Sequence, residues 1–141
     1  MNKNLKFFGT DGIRGTYGGK IINNSFAYSL GKAVASHYQK KGHINKPILL
    51  ARDTRPSGLE LMQYLISGIN EYGMEVINAG VIPTPVIAYS ASTTSCCCAV
   101  MITASHNPHG DNGFKIISSE GSKLSIEEEQ SIESFFEICN N

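Results

Sequence analysis

The segment Ala99-Val100-Met101-Ile102-Thr103-Ala104-Ser105-His106-Asn107-Pro108 joins an apolar run to a small polar loop. An apolar run of this kind, bounded by turn-forming residues, is typical of a strand buried on both faces. The loop continues through Gly110 and Asn112-Gly113 into a second apolar segment, residues 114–117. Asn-Gly is a strong turn signal, and no helix fits in so short a connection. We therefore expect the second strand to run antiparallel to the first.

Outside this segment, short apolar runs alternate with stretches of helical periodicity. That order predicts an α/β fold, a three-layer α/β/α sandwich with a mixed four-stranded sheet whose last strand is antiparallel. The predicted strands span residues 48–51, 74–79, 97–102 and 113–117, with a further short strand over 3–8. The predicted helices span residues 22–41, 59–72, 85–95 and 126–139, with Ser25, Ser57 and Ser125 as candidate N-caps. Residues 1–141 are expected to form one domain, since their number is near the modal domain size.

The composition disfavours several classes of partner. Lys and Arg together number 12, as do Asp and Glu, so the formal net charge is zero. A chain without a strong positive field is not expected to bind nucleic acid or an anionic membrane. The N-terminal residues lack the apolar region of a signal peptide, and no apolar run approaches the roughly 20 residues that span a bilayer. We therefore expect a cytoplasmic protein.

The cysteines do not have the spacing of a metal site. Cys96, Cys97 and Cys98 are adjacent and would alternate between the two faces of a strand, and Cys139 is distant from them. We expect them to be reduced, small core residues.

The segment Gly9-Thr10-Asp11-Gly12-Ile13-Arg14-Gly15 contains three glycines in seven residues. Glycine permits positive φ angles and a close backbone approach to a ligand, so we expect a loop here. One interpretation is a tight turn with an Asp11–Arg14 ion pair. The other is an anion-binding loop in which Arg14 offers its planar guanidinium to a phosphate. The segment matches neither a Walker loop nor a dinucleotide-binding fingerprint.

A second polar loop, Arg52-Asp53-Thr54-Arg55-Pro56-Ser57-Gly58, follows the predicted strand 48–51. Open α/β sheets place their sites at the carboxyl ends of parallel strands, so this loop is also a candidate site region. The alternative is a plain connection in which Asp53 pairs with one of the arginines and Ser57 caps the next helix.

The three loops combine a serine hydroxyl with several cations. If the strand ends converge, Arg14, Lys115 and the loop arginines would surround Ser105, which suits a phosphate group. A serine beside His106 also suggests a hydrolase nucleophile. That alternative is disfavoured because neighbouring side chains in an extended loop point apart, and no Gly-x-Ser-x-Gly turn is present. Phosphoryl transfer fits better, since it needs positioning and positive charge more than a strong base.

The residues give two opposing indications about a bound metal ion. A phosphoserine would carry about two negative charges and would attract a divalent cation. Mg²⁺ prefers further carboxylate ligands, whereas Asp11, Asp53 and Asp111 are scattered singles. From the residues alone, the metal site is incomplete.

Four motifs together resemble the first domain of the α-D-phosphohexomutase family, in the order in which that family has them. They are residues 8–15, residues 52–58, Pro83-Thr84-Pro85, and Thr103-Ala104-Ser105-His106-Asn107-Pro108 followed by Asp111-Asn112-Gly113-Phe114-Lys115. The match to the family covers nearly the whole chain. The Gly-Thr-Asp-Gly-Ile-Arg-Gly form resembles the bacterial phosphoglucosamine mutase branch more than the phosphomannomutase/phosphoglucomutase branch.

The resemblance implies a reaction. Ser105 would be a phosphoserine that exchanges its phosphoryl group with a hexosamine phosphate through a 1,6-bisphosphate. The net reaction would interconvert glucosamine 6-phosphate and glucosamine 1-phosphate and so supply cell-wall precursors. Mg²⁺ would be the cofactor and would bind an oxygen of the Ser105 phosphate. The family fold, a four-stranded mixed sheet with one antiparallel strand, agrees with the pattern described above.

The resemblance also implies roles for the neighbouring residues. Arg14 and Lys115 would contact the transferring phosphoryl group, with Lys115 a candidate general acid/base. His106, counted among the catalytic residues, and Asn107 would shape the serine loop. Thr10 and Asn107 would contribute to phosphate binding.

Family members are several times longer and have four domains around a cleft. The resemblance implies that the Asp-rich metal loop, the sugar-selecting loop and the phosphate-docking loop belong to domains II, III and IV. We therefore expect those domains as partners, no turnover by this chain alone, and a surface that could self-associate. The alternatives are a phosphomannomutase/phosphoglucomutase domain and a non-catalytic phosphate-binding or assembly domain.

Overall fold

The computed structural model describes the backbone of residues 5–139 and the side chains of residues 5–138. The strands are Ile13–Thr16 (β1), Ile48–Arg52 (β2), Val76–Val81 (β3), Cys98–Ile102 (β4) and Asp111–Ser118 (β5). The helices are Asn24–Lys40 (α1), Gly58–Glu71 (α2), Thr84–Thr93 (α3) and Ile126–Cys139 (α4). Within these residues, no helix is long and apolar enough to cross a membrane.

The sheet is mixed and its strand order is β1-β5-β4-β2-β3. β2 pairs in parallel with β3 and β4, whereas β5 pairs antiparallel with β4 and with β1. The predicted antiparallel direction of the strand after the serine loop is therefore confirmed, because its connection from β4 is too short for a crossover.

The predicted number of strands was wrong, because the described residues form five strands rather than four. The additional strand is β1, which lies inside the glycine-rich segment that was expected to be a loop. Its register with β5, Ile13 opposite Phe114 and Thr16 opposite Asp111, makes it a short edge strand. The expected strand over 3–8 is also wrong where it can be checked, since residues 5–8 form no strand; Lys3 and Asn4 lie outside the described residues.

The second edge strand, β3, was predicted to be a core strand over 74–79. It lies at the far edge of the sheet, spans Val76–Val81, and its residues are exposed or half-buried. The pairing with β2 shifts between Leu50 and Arg52, and Arg52 pairs with Val81. The strand therefore begins two residues later and ends two residues later than predicted.

Helices cover both faces of the sheet. One buried cluster joins α1, α2 and α4 to strand residues that include Ile48, Leu50 and Val100. The other joins α3 to the alternate residues, among them Leu49 and Met101. Successive side chains of a strand point to opposite faces, so the two clusters lie on opposite sides of the sheet and the predicted α/β/α layering is confirmed.

Cys96, Cys97 and Cys98 are buried and free, as predicted for small core residues. Cys98 lies within β4 and Cys97 directly before it. Burial raises the pKa of the Cys98 thiol, with the neighbouring Cys97 adding to the effect. A thiol of this kind stays protonated and unreactive. The side chain of Cys139 lies outside the described residues.

Of the three predicted N-caps, Ser25 was wrong, Ser57 holds the N-cap position without the expected hydrogen bond, and Ser125 is confirmed. Asn23, rather than Ser25, caps α1, since its Oδ1 accepts the Phe26 N–H at 2.8 Å. Ser57 precedes α2 without a capping hydrogen bond, because its Oγ accepts the Asn112 side-chain amide at 2.8 Å instead. Ser125 does cap α4, with its Oγ accepting the Glu128 N–H at 3.2 Å.

Candidate active site

The polar loops meet at one edge of the sheet. The loop after β2 and the loop after β4 lie side by side, because both follow the carboxyl ends of adjacent parallel strands. β1 adds Arg14 to this edge, since Arg14 pairs with Gly113 of β5. The Thr103 N–H in turn donates to the Gly113 carbonyl at 3.0 Å. Arg14 of β1, Gly113 of β5 and Thr103, which directly follows β4, therefore form one row.

Gly113 makes this close row possible. A Cβ at this position would lie 2.2 Å from the Ile13 carbonyl oxygen and 2.9 Å from the Thr103 carbonyl oxygen. It would also lie 3.1 Å from Cγ of Arg14. The absence of a side chain at Gly113 therefore allows β1 and the start of the serine loop to approach each other.

Ser105 has an unusual backbone conformation. Its φ of 54° makes it the only non-glycine with positive φ in the part of the chain that the structure describes. The Ser105 N–H donates to Thr103 Oγ1 at 3.0 Å, and that hydroxyl donates to Asp53 Oδ2 at 2.6 Å. The Ser105 side chain is exposed at the sheet edge. The Ser105 hydroxyl is therefore exposed to solvent on a loop whose backbone is held by Thr103 and Asp53.

Arg55 supplies most of that anchoring. Its Nη2 donates to the carbonyl oxygens of Ser105 and Asn107, at 2.8 and 3.0 Å. Its Nη1 donates to those of Pro108 and Asp111, at 2.7 and 3.0 Å. Four backbone carbonyls of the serine loop thus converge on one guanidinium.

The fifth donor of Arg55 is also used. Its Nε lies 3.2 Å from Asp53 Oδ2, so the expected pairing of Asp53 with a loop arginine is confirmed. The Arg55 side chain is only 9% exposed. The sequence suggested Arg55 as a cation for phosphate, but its donors are occupied and it holds the loop instead. We call Arg55, Asp53 and Thr103 the loop clamp.

Arg14 is used differently from Arg55. It is half-buried, and its Nη1 lies 3.5 Å from Asn107 Oδ1, at the limit of a hydrogen bond. Its Nε is buried and has no hydrogen-bond partner among the described residues. The alternative Asp11–Arg14 ion pair is absent from the ion pairs of residues 5–138. Arg14 therefore has donors available for an anion.

Lys115 lies on β5 opposite Met101 of β4. Two residues along a strand share a face, so Lys115 projects on the same side of the sheet as Gly113 and its partner Arg14. Lys115 forms no ion pair with any residue whose side chain is described. The structure therefore brings two cations with free donors to one side of the edge that carries Ser105.

Thr10 lies in the tight turn before β1, and Gly12 shapes that turn. Gly12 has a φ of 84°, and a Cβ there would lie 2.4 Å from the Phe114 carbonyl oxygen. The turn is closed by the Gly9 N–H, which donates to the Gly12 carbonyl at 2.8 Å. Thr10 is exposed and lines a pocket together with Gly12 and Lys115. The glycines therefore place Thr10 against β5.

His106 and Asn107 have unlike surroundings. His106 is exposed, and no hydrogen bond joins it to Ser105 within the described residues. The geometry therefore does not bring the His106 imidazole to the serine hydroxyl, and a Ser–His hydrolase site stays disfavoured. Asn107 donates its backbone N–H to Ala104 O at 3.0 Å and its side-chain amide to Asp111 Oδ2 at 3.3 Å. Asn107 therefore shapes the loop.

Tyr17 ties the far end of the serine loop to the helices. Its N–H donates to the Gly110 carbonyl at 3.0 Å. Its hydroxyl contacts Asn24 Oδ1 at 2.9 Å and Glu60 Oε2 at 3.1 Å. Burial, followed by the Glu60 carboxylate, raises the pKa of Tyr17, so its hydroxyl remains a donor. Nothing in the sequence pattern indicated this role.

The carboxylates do not converge on a cation site. Asp53 is engaged by Arg55 and Thr103, and Asp111 by Thr16 and Asn107. Across the described residues, no group of three or more His, Cys, Asp or Glu side chains could hold a metal ion. The carboxylates here do not fit Mg²⁺, which prefers several oxygen ligands.

The fold and the site place the protein in a structural class. It is a three-layer α/β domain with a clamped serine loop at the carboxyl ends of the parallel strands of a mixed sheet. A sequence model of the phosphoglucomutase/phosphomannomutase α/β/α domain I matches residues 5–139. The chain belongs to that family, as its domain I. The resemblance seen in the motifs is thereby confirmed.

Curated relatives refine the placement. The chain is 43% identical over 140 residues to a phosphoglucosamine mutase of Campylobacter fetus, covering 97% of this chain and 31% of that protein. It is 48% identical over 126 residues to a phosphoglucosamine mutase of Finegoldia magna, covering 88% of this chain and 27% of that protein. The chain thus spans about 30% of the length of such relatives, and it is homologous to domain I of phosphoglucosamine mutases.

Solved structures agree with the fold. A phosphoglucomutase/phosphomannomutase family protein from Burkholderia thailandensis matches with a TM-score of 0.83 and 29% identity, over 97% of this chain and 31% of that one. A protein described as a phosphomannomutase from Thermus thermophilus matches with a TM-score of 0.83 and 26% identity, over 94% of this chain and 30% of that one.

Proposed function

We propose that this chain is the serine-bearing domain of a phosphosugar mutase and that Ser105 carries the transferred phosphoryl group. One observation carries the proposal: an exposed serine, on a loop clamped from below, shares its sheet edge with two cations that have free donors. Phosphoryl transfer depends on positioning and on neutralising charge, and this arrangement provides both.

The proposed step is a displacement at phosphorus. Ser105 Oγ attacks a phosphoryl group of a hexose 1,6-bisphosphate, so a bond from serine oxygen to phosphorus forms and the bond from phosphorus to sugar oxygen breaks. The serine proton ends on the sugar oxygen, which leaves as a hydroxyl. In the reverse step, phosphorylated Ser105 transfers its phosphoryl group to the free hydroxyl of a hexose monophosphate, which forms the 1,6-bisphosphate and returns the serine hydroxyl. The bisphosphate then reorients, Ser105 Oγ takes the phosphoryl group from the other position, and the sugar leaves as the isomeric monophosphate.

The neighbouring residues receive distinct roles in this proposal. Arg14 binds phosphoryl oxygens through its free donors, since a guanidinium fork matches phosphate geometry. Lys115 neutralises developing charge and is the candidate general acid/base. Thr10 contributes a hydroxyl to phosphate binding. Asn107 shapes the loop and orients Arg14, and His106, which is exposed, is retained as a candidate contact to substrate.

We propose glucosamine 6-phosphate and glucosamine 1-phosphate as the substrate pair, in the supply of cell-wall precursors. The support is the name phosphoglucosamine mutase, carried by relatives that are 40–48% identical over most of this chain. The second candidate is phosphomannomutase or phosphoglucomutase activity, since structures described in those terms share the fold. The cytoplasmic localisation stays a prediction.

Mg²⁺ stays a prediction as well. Ser105 would hold it through a phosphate oxygen, but the described carboxylates do not fit as its further ligands. We propose that the remaining length of the longer relatives corresponds to parts that supply those ligands and the sugar pocket. On this proposal Ser105 of the 141-residue chain can accept a phosphoryl group from a bisphosphate in a single transfer, helped by Arg14 and Lys115. Repeated turnover of a sugar monophosphate needs the remaining parts, so the chain of residues 1–141 does not turn over substrate alone.

The proposal is tested by incubating the chain with a hexose 1,6-bisphosphate and locating the phosphoryl group by peptide mass spectrometry. We expect the group on Ser105 and its loss in Ser105→Ala. A phosphoryl group that persists in Ser105→Ala would refute the assignment. A mutase assay on the same chain is expected to show no turnover, and activity like that of a full-length mutase would contradict the partial-site proposal.

The non-catalytic alternative makes a different prediction. A phosphate-binding or assembly domain would bind inorganic phosphate, or self-associate in sedimentation experiments, without transferring any phosphoryl group to Ser105. The mass-spectrometric measurement therefore distinguishes the two candidates.

A further inference from the structure

Arg55 lies beneath the serine loop and contacts it only through backbone oxygens. All five of its donor groups are used: four bonds reach carbonyls of residues 105–111, and the fifth reaches Asp53. We propose that Arg55 is a positioning residue for phosphoryl transfer, acting through the loop backbone to fix the direction of the Ser105 hydroxyl. The inference rests on the proposed function of Ser105.

The geometry requires an arginine rather than any cation. A guanidinium presents five donors in a rigid planar fork, whereas an ammonium presents three donors on a flexible stem. Here the two terminal nitrogens of Arg55 each bridge two carbonyls, at 2.7 to 3.0 Å. Lysine would keep the charge but could not span this set of oxygens. Charge and positioning can therefore be separated experimentally.

Asp53 orients the fork and connects it to the Ser105 amide. Its Oδ2 accepts from Arg55 Nε and from the Thr103 hydroxyl. The same hydroxyl accepts the Ser105 N–H at 3.0 Å. Both ends of the Ser105 peptide backbone, its N–H and its carbonyl, are thus held by one connected network.

That double attachment matters because Ser105 has a φ of 54°. The left-handed conformation is unfavourable for a residue with a side chain, so the loop would relax if its attachments weakened. A relaxed loop would turn the hydroxyl away from an in-line approach to phosphorus. Misplacement of about 1 Å can cost about a hundredfold in rate.

The experiment compares Arg55→Lys with the matched variant Arg52→Lys in the full 141-residue chain. Arg52 is half-buried nearby, and its Nη1 donates to the Asp53 carbonyl at 3.3 Å; within the described residues no hydrogen bond joins its side chain to the serine loop. Two quantities are measured: the rate of phosphoryl transfer from a hexose 1,6-bisphosphate to Ser105, and amide hydrogen exchange in residues 103–113. Exchange in α1 and α2 serves as the internal reference for global stability.

We expect Arg55→Lys to slow the transfer about tenfold or more and to accelerate exchange at the Ser105, Asn107 and Asp111 amides. Exchange in α1 and α2 should remain near the wild-type rate, and Arg52→Lys should leave both readouts unchanged. A slower transfer and a less protected serine loop, in a variant that keeps the positive charge, would show that Arg55 acts by positioning the loop.

Two outcomes would overturn the inference while leaving the proposed function intact. In one, Arg55→Lys transfers phosphoryl at the wild-type rate, so the clamp is only structural. In the other, the rate falls in Arg55→Lys and Arg52→Lys alike. If the wild-type chain takes up no phosphoryl group at Ser105 while the loop amides remain protected, the proposed function fails instead, and the positioning role fails with it.

Discussion

Two arginines approach the serine loop from different strands, and their donors are used in opposite ways. Arg55, from the loop after β2, uses all five of its side-chain N–H groups in hydrogen bonds within the protein. Arg14, from β1, has one long contact to Asn107 and a buried Nε without a partner among the described residues. The same residue type therefore builds the loop in one place and stays available to an anion in the other.

A second pair shows the same contrast within α4. The Glu133 carboxylate accepts the backbone N–H groups of Lys6, Phe7 and Phe8 at 2.7 to 2.8 Å. Glu129, one turn earlier, is 1% exposed; neither carboxylate oxygen has a hydrogen-bond partner among the described residues, and Lys123 Nζ lies 3.7 Å from Oε1 as a long ion pair. A buried charged group with hydrogen-bond partners fixes structure, whereas one without them costs free energy.

The largest effect is expected from Arg55→Met. Removing the guanidinium leaves Asp53 and four loop carbonyls without their partner, so the free energy of unfolding should fall by about 3–5 kcal/mol. Urea denaturation measures this loss. Arg52→Met is the control and should cost less than about 1 kcal/mol. An Arg55→Met chain as stable as its control would show that the clamp contributes nothing.

Gly113→Ala should have the next largest effect. The new Cβ would lie 2.2 Å from the Ile13 carbonyl oxygen, so β1 must shift away from β5. We expect a loss of about 1–3 kcal/mol, the range for overpacking. Gly110→Ala is the control, because nothing lies within 4 Å of its Cβ. Equal stability of the two variants would contradict the close approach of β1 and the start of the serine loop at Gly113.

Glu129→Gln should stabilise the chain at neutral pH. Burial raises the pKa of Glu129 above its usual 4.5, with Lys123 partly opposing the shift. The ionised form therefore costs folding free energy at pH 7, and Gln should recover about 1 kcal/mol. As the pH falls through the raised pKa, the native wild type takes up a proton before the unfolded chain does, so the advantage of Gln should shrink.

Denaturation of both chains between pH 7 and pH 4.5 measures that convergence. Glu137→Gln, at an exposed position of α4, is the control and should show no such trend. A Glu129→Gln advantage that grows on acidification would mean that the carboxylate is stabilised by its surroundings.

The smallest effect on stability is expected from Arg14→Met and Lys115→Met. Neither side chain has a strong partner within the described structure, so each variant should stay within about 0.5 kcal/mol of wild type. Their effect should appear instead in turnover of a full-length mutase, which both should reduce strongly. A loss of stability like that of Arg55→Met, with turnover unchanged, would assign these cations to structure.

The sequence predicted much of this fold because its apolar runs are continuous and its breaks are strong. The run before Ser105 and the short connection after it placed β4 and β5 and their antiparallel pairing, although Asn112-Gly113, which was expected to form a turn, lies within β5. β1 was missed because its four residues lie in a glycine-rich segment, and pairing with β5 is a long-range contact that no local pattern reports. β3 was predicted to be a core strand because the residue pattern of a short apolar run does not distinguish an edge strand from a central one.

The sequence proposed residues for the candidate site but did not separate those that bind an anion from those that hold the loop. Ser105, Arg14 and Lys115 could be proposed from residue type and position alone. The clamp could not, because Arg55 and Arg14 have the same chemistry in the sequence, and only burial and hydrogen bonding separate them. The Asp53–Arg55 spacing of two residues was the one available signal, and it allowed a structural and a functional interpretation.

The most direct test of this division is titration of the chain with inorganic phosphate, followed by backbone amide NMR, in wild type, Arg14→Met and Arg52→Met. We predict phosphate-dependent shifts at Ser105 and its loop, at Arg14 and at Lys115 in the wild type and in Arg52→Met. The shifts should be lost in Arg14→Met while its spectrum remains that of a folded chain. Phosphate binding at wild-type affinity in Arg14→Met would contradict the account.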